Sequence, residues 1–487
     1  MMVITNAYQQ LDDFLCQRID PEPVYDPQRL LWNAPLAAAL NVAPQVVQQA
    51  EHYFSGNRLL PGSEPRALAY AGHQFGHYTP RLGDGRAHLL GEAITTAGKH
   101  VELQLKGSGR TAFSRQGDGR CALKPAVREY IMSEAMHALG VPTSRTLAVV
   151  SSGESIWRDR EVPGAIVTRV ASSHLRIGTF QYVASLGDKQ ALERLQKFAI
   201  QRHFPHIDPL ASDSAVLFLE AVIDKQIETI IAWMRVGFIH GVMNTDNMTI
   251  SGETIDYGPC AMLGRYDPRT VYSAIDTEGR YCFGNQPYIA QWNLARLAES
   301  LLSLVSENTH AAIEKMGPVI EGFTSKYHAA YYQMMKTKLG LSDDKPTLFD
   351  QNSLVDEIVQ SMTANKCDYT QFFTALTDNL STRVAGQATV DTDLLWLGKS
   401  LLSKWQGVTQ SSGSKVVENM QAANPRVIPR NHHIEATLSG CDKQRNTKAV
   451  DNFLSVLLTP YKQTSNTHRY QDAPGDDDHG YKTFCGT

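Results

Sequence analysis

The sequence contains no run of about 18 apolar residues, the length a helix needs to cross a bilayer. Its most apolar stretch, residues 214–242, is interrupted by Glu220, Asp224, Lys225, Glu228 and Arg235, and so reads as buried helix. Residues 1–18 lack a basic region followed by an apolar one, the pattern of a secretory leader. Cysteine is scarce and unpaired in pattern. The seven are Cys16, Cys121, Cys260, Cys282, Cys367, Cys441 and Cys485, an odd count with no C-x-x-C pair and no metal spacing. A reducing cytoplasm is the expected location, with no membrane partner. Neither sign of charge dominates: 46 Lys and Arg face 50 Asp and Glu, a net charge of −4. No nucleic-acid partner is therefore expected, and affinity for phosphate has to come from local clusters. Internal repeats and low-complexity tracts are also absent from the sequence.

With 487 residues, 42% of them hydrophobic, the chain has material for a large two-lobed domain. Gly and Pro are not pooled into one linker, so a single extended domain, and a monomer, is the economical reading. Residues 1–75 mix short helical patterns, such as 44–54, with Pro-containing turns and read as an extension packed on the core. Residues 76–170 form a β-rich lobe, with strands expected at 86–94, 100–106, 147–150 and 164–170 and a helix at 126–139 stopped by Gly140. Residues 171–420 turn helical, most clearly at 189–202, 214–236, 287–305 and 309–339. Residues 421–487 alternate turns with short helices and end in an acidic tail. The class is α+β, a β lobe followed by a larger helical one with a cleft between them.

The most informative segment is His240-Gly-Val-Met-Asn-Thr-Asp-Asn247, followed by Ile255-Asp256-Tyr257-Gly258. Protein kinase catalytic loops read H-R-D-x-x-x-x-N, and the His-to-Asn spacing holds here. Phosphate chemistry needs oxygen ligands for Mg²⁺, which Asn247 and Asp256 supply. A tight hairpin through Ser251-Gly252 would bring the two together. Where a kinase has its catalytic Asp, this chain has Val242, which can neither take a proton nor bind metal. Asp246, beside Asn247, is the substitute base.

A second constellation lies in the β lobe. Lys106 ends an alternating strand and Glu129 follows on the predicted helix, the order in which a strand lysine pairs with a helix glutamate and reaches phosphates. Gly83-Asp84-Gly85-Arg86 is a turn whose backbone N–H groups can approach phosphate. Arg110, Arg115, Arg120 and Lys124 are interleaved with Gly107, Gly109, Gly117 and Gly119, and Arg169 and Arg176 flank Ser172-Ser173-His174. Taken singly, each has a plain structural reading as a turn or a solvated loop. Together they point to a polyphosphate pocket.

These residues resemble the selenoprotein O family, also called YdiU, of kinase-like protein adenylyltransferases. The likeness runs through Tyr70-Ala-Gly-His-Gln-Phe-Gly76, Leu82-Gly-Asp-Gly-Arg86, Gln104-Leu-Lys-Gly-Ser-Gly109, Arg115-Gln-Gly-Asp-Gly119, the 240–247 segment and Asn424-Pro-Arg-Val-Ile-Pro-Arg-Asn-His432. It implies a protein-kinase-like two-lobed fold. The implied reaction moves AMP from ATP to Ser, Thr or Tyr hydroxyls of proteins, with the nucleotide reversed so that its α-phosphorus faces the acceptor. By position, Gly83, Gly85, Arg86, Lys106, Asp118, Gly119, Arg169 and Arg176 would line the ATP pocket and Glu129 would support Lys106. Asn247 and Asp256 would hold Mg²⁺ or Mn²⁺, and Asp246 would be the base. The family also carries a C-terminal redox residue, matched here by Cys485, with Cys260 and Cys282 as candidate partners. Two readings stay open beside it: a kinase using Asp246, and a nucleotide-binding module without catalysis.

Overall fold

The computed structural model describes residues 2–11, 14–341, 350–388, 394, 396–444, 447–475 and 481–483. Cys485 and part of the acidic tail lie outside the described residues. The strands are β1 (Cys16–Arg18), β2 (Gln28–Trp32), β3 (Arg66–Leu68), β4 (Gly72–Gln74), β5 (His77–Thr79), β6 (Ala87–Ile94), β7 (His100–Lys106), β8 (Cys121–Ala122), β9 (Arg145–Trp157), β10 (Glu161–Ala171), β11 (Phe238–Ile239) and β12 (Ala261–Met262). Eight of them make one antiparallel sheet in the order β1-β3-β6-β7-β10-β9-β2, with β8 pairing on β10. β4 with β5, and β11 with β12, form separate two-stranded sheets. Residues 1–75, expected as an extension, contribute β1, β2 and β3 to the main sheet.

Fifteen α-helices are described: α1 (Ala34–Ala39), α2 (Pro44–Gln48), α3 (Ala50–Tyr53), α4 (Leu123–Ala138), α5 (Ile177–Ser185), α6 (Lys189–His203), α7 (Ser214–Val236), α8 (Gln286–Val305), α9 (Thr309–Leu339), α10 (Gln351–Ala364), α11 (Tyr369–Val384), α12 (Lys399–Val408), α13 (Ser414–Ala423), α14 (Asn431–Gln444) and α15 (Lys448–Leu457). α7 runs over the predicted 214–236 and stops where Gly237 turns left-handed at φ 77°. α9 covers the predicted 309–339, started by the Asn308 side chain capping Ala311 N–H and ended by Gly340. The helix expected at 44–54 is broken into two at Gln49, which sits at φ −122° outside helical geometry. None of the described helices is long and apolar enough to cross a membrane.

Alternation along β7 sets up the site. Leu103 and Leu105 enter a core with Leu36, Leu40 and Phe54, while the intervening Gln104 and Lys106 side chains bond on the opposite face, to Asp84 and to Glu129 and Asp256. On that side α4 packs against β9 and β10, burying Ile131, Met132, Ala135 and Val167 together with the apolar residues of α5 to α9. The sheet and the helical region thus meet around a polar cleft. Its floor is built of buried charged side chains, Lys106, Glu129, Arg169 and Arg176.

Candidate active site

A cavity of about 770 Å³ lies in this cleft. Gly83, Gly85, Arg86, Lys106, Asp118, Gly119, Arg169, Arg176, Asp246, Asn247 and Asp256 all line it, as do Val242, Tyr70, Arg115 and Arg120. Glu129 stands behind the lining on α4. Arg110 and Lys124, counted with the basic loop in the sequence, do not line it. Lys124 falls instead in the first turn of α4, which starts three residues earlier than expected because Pro125 is tolerated there. A second cavity of about 920 Å³ brings together none of the predicted residues, and its carboxylates Asp368 and Asp378 are tied to Arg430 and Arg426.

The centre is a network of three cations around two carboxylates. Lys106 Nζ lies 2.7 Å from Glu129 Oε2 and 3.3 Å from Asp256 Oδ1. Arg169 bonds Glu129 through Nε at 2.5 Å and reaches Asp256 Oδ1 through its other end. Arg176 donates to Asp256 Oδ2 at 3.0 Å and to the Asp246 carbonyl at 2.6 Å, with its guanidinium 4.6 Å over the Tyr70 ring. Burial alone would raise both carboxylates, but Arg169 and Lys106 outweigh it. Glu129 is held down to about 2, and Asp256, with Arg176 added, well below the ordinary range. Both are ionised at any working pH.

The expected hairpin forms a single bridge, Met248 to Thr254, and it sets Asn247 Nδ2 3.3 Å from Asp256 Oδ2. Asp256 adopts φ 65°, a left-handed conformation that Asp tolerates better than most side chains. His240 Nε2 donates to the Ile255 carbonyl at 2.9 Å, and burial lowers its pKa, which keeps the ring neutral. The two motifs found separately in the sequence are therefore one hydrogen-bonded unit. Asn247 turns its amide nitrogen toward Asp256; with the amide flipped, its oxygen, the Asp256 carboxylate and the buried, unpartnered Asp246 Oδ1 make an oxygen donor set that fits a hard divalent ion such as Mg²⁺ or Mn²⁺.

Asp246 differs from Asp256 in environment. It is 7% exposed, its Oδ1 has no hydrogen-bond partner, and burial, only partly offset by Arg176, pushes its pKa up to about 6. Gly72 presses on it: a Cβ there would overlap Asp246 Oδ1. β4 is held over the 244–246 segment by bonds from His73 N–H to Thr245 Oγ1 at 2.7 Å and from Phe75 N–H to Asn244 Oδ1 at 3.0 Å.

Three contributors escaped the sequence reading. Asp84, between the two glycines of the 83–86 turn, is buried, accepts from Gln104 Nε2 at 3.1 Å and Leu68 N–H at 3.2 Å, and lies 3.8 Å from Arg176. An acid flanked by glycines was its only signal. Arg158 grips Asp118 at 2.7 and 3.2 Å, which fixes the 115–120 loop and left no local trace because the partners are 40 positions apart. Tyr70 stacks under Arg176.

The family model described as protein adenylyltransferase SelO matches residues 2–458. The chain belongs to this family. As a member it is a nucleotidyltransferase, with an α+β architecture of one β-sheet lobe and a helical region. It is 49% identical to the protein nucleotidyltransferase YdiU of Pseudoalteromonas translucida, covering all of both chains. To the YdiU nucleotidyltransferase of Teredinibacter turnerae it is 47% identical, again over both full lengths, and to that of Geobacillus kaustophilus 46%, over 99% of this chain and 98% of the relative.

Proposed function

We propose that this member of the SelO family transfers AMP from ATP to Ser, Thr or Tyr hydroxyls of target proteins, on a kinase-like two-lobed scaffold with the nucleotide reversed relative to a kinase. One observation carries the reading. The position of the kinase base is Val242, while a buried carboxylate with an open oxygen, Asp246, faces the same cavity as the Asn247–Asp256 pair.

In this reading Asp246 accepts the proton of the attacking hydroxyl, and its pKa near 6 leaves it ionised yet basic at neutral pH. Seven cations line the cavity, Arg86, Lys106, Arg115, Arg120, Arg158, Arg169 and Arg176, against the four carboxylates Asp84, Asp118, Asp246 and Asp256 with Glu129 behind them, and the surplus positive charge suits a triphosphate. Asn247 and Asp256 would hold Mg²⁺, which supplies charge neutralisation at the phosphate oxygens. The 83–86 turn offers backbone N–H groups to the same phosphates. Asp118, clamped by Arg158, holds the glycine loop at the far side of the pocket. The choice of the α-phosphorus is supported by family membership. Redox gating through Cys485 belongs to the same reading; burial raises the thiols of both candidate partners, Cys260 to about 11, and half-buried Cys282 is the more accessible of the two.

Incubation of the chain with ATP, Mg²⁺ and hydroxyl-bearing target proteins, followed by intact-mass measurement, tests the proposal. AMP adducts support it. Phosphate adducts would make the protein a kinase using Asp246, and saturable ATP binding without any adduct would make it a binding module.

A further inference from the structure

We propose that His432, His433 and Asp472 form a second metal site, suited to a zinc-class divalent ion, that pins the C-terminal segment onto α14. The two histidines open α14, and Asp472 follows a short 3₁₀ turn at Thr467–Tyr470. One ligand atom from each residue lies within 4.8 Å of the other two. His432 Nε2 is 3.1 Å from Asp472 Oδ2, and His433 Nε2 is 2.7 Å from Asp472 Oδ1. Two ring nitrogens thus converge on one carboxylate. With metal–ligand bonds of about 2.0–2.2 Å, donors sharing an ion stand at most about 4 Å apart, so small side-chain rotations bring all three onto it.

The rings are already oriented for this. Their centroids are 4.1 Å apart, and His433 is packed between Tyr470 at 5.1 Å and Phe453 at 5.9 Å. His432 Nδ1 is buried with no hydrogen-bond partner. The nearby cation Arg430 is already engaged by both oxygens of Asp368, at 2.8 and 2.9 Å. Two imidazoles and one carboxylate select a borderline ion such as Zn²⁺ or Co²⁺ over Mg²⁺, whereas the Asn247–Asp256 pair has the opposite preference.

The location gives the site a structural role. Beyond Asp472, Tyr481 and Thr483 are also bonded to the body of the protein. Tyr481 OH donates to Glu435 of α14 at 2.7 Å, and Arg128 donates to the same hydroxyl at 3.3 Å. Thr483 Oγ1 donates to the carbonyl of Pro259 at 2.6 Å, and Pro259 lines the catalytic cavity. A metal at Asp472 fastens the near end of a segment whose far end touches the Asp-Tyr-Gly loop.

The test is Co²⁺ binding to the full chain with Mg²⁺ in excess, read by the visible absorption of the bound ion, with Zn²⁺ as competitor. One Co²⁺ per chain is expected. His433→Ala and Asp472→Asn should each weaken it by more than about tenfold, while Asp256→Ala leaves it in place. Asp472 is exposed, so its substitution leaves the core unchanged, and equal urea midpoints verify folding. Binding that survives both ligand substitutions, or that is lost with Asp256→Ala, would overturn the site. Zn²⁺ should also slow proteolysis of the C-terminal segment in the wild type and not in Asp472→Asn; equal cleavage in both would overturn the pinning.

Discussion

Replacing Asp246 by Asn should make the metal-free protein more stable and nearly inactive. The native carboxyl has a pKa of about 6 because it is buried, against an ordinary value of 3.8. Ionised above that range, it costs the fold about 3 kcal/mol, the free energy equivalent of the gap. The sign follows from linkage. A folded-state pKa above the unfolded one means that the protonated form contributes stability in full below about 3.8, and that this contribution is lost as pH rises through about 6. Asn, which never ionises, avoids the loss. The gain should be greatest above about pH 7 and should vanish toward pH 4. For a cooperative unit of this size the unfolding entropy is about 1 kcal/mol/K, so the gain corresponds to about 3 °C at the midpoint. Thermal melts of both proteins in chelator, from pH 4 to 8, read it directly. Transfer activity should fall by a factor of about 10²–10⁴, the usual contribution of a general base. A variant no more stable at pH 8, or equally stabilised at pH 4 and 8, would refute the buried-base assignment, as would retained activity.

Asp256→Ala should abolish transfer and lower stability by about 3 kcal/mol in urea titrations, because Lys106 and Arg169 are left sharing Glu129 while Arg176 keeps only the Asp246 carbonyl and the more distant Asp84. Gly72→Ala pushes a methyl into Asp246 Oδ1; kcat should drop more than about tenfold, with circular dichroism unchanged. Arg158→Ala frees Asp118 and the glycine loop, and should raise KM for ATP while kcat stays within about threefold, measured under initial-rate conditions. The activity of the wild type should rise with pH through about 6 as Asp246 loses its proton.

Much of this arrangement was legible because it is local. Strand β7 alternates in the sequence and alternates in the fold, and α7 and α9 follow apolar periodicity bounded by Gly237, Asn308 and Gly340. Lys106 and Glu129 were paired from their order along strand and helix, and they meet at 2.7 Å. Asn247 and Asp256 were paired through a predicted turn, and they meet at 3.3 Å. What stayed hidden depends on long-range packing. β9 spans 13 residues and β10 spans 11, beyond the short runs expected, because their outer halves pair with each other past a bulge near Pro163 and show little apolar signal. The β4–β5 hairpin over Asp246 is short and, apart from buried Gly72, partly or fully exposed, and only its contacts with Asn244, Thr245 and Asp246 reveal its role. His432 and Asp472 are 40 positions apart, so no motif could join them.

The central claim, transfer of AMP rather than phosphate, is tested most directly by the fate of radiolabel. Parallel reactions contain ATP labelled at the α- or the γ-phosphorus, with Mg²⁺, the chain and a protein acceptor. The account predicts α-label on protein, no γ-label, and loss of the α-label in Asp256→Ala. Protein carrying γ-label without α-label would contradict it.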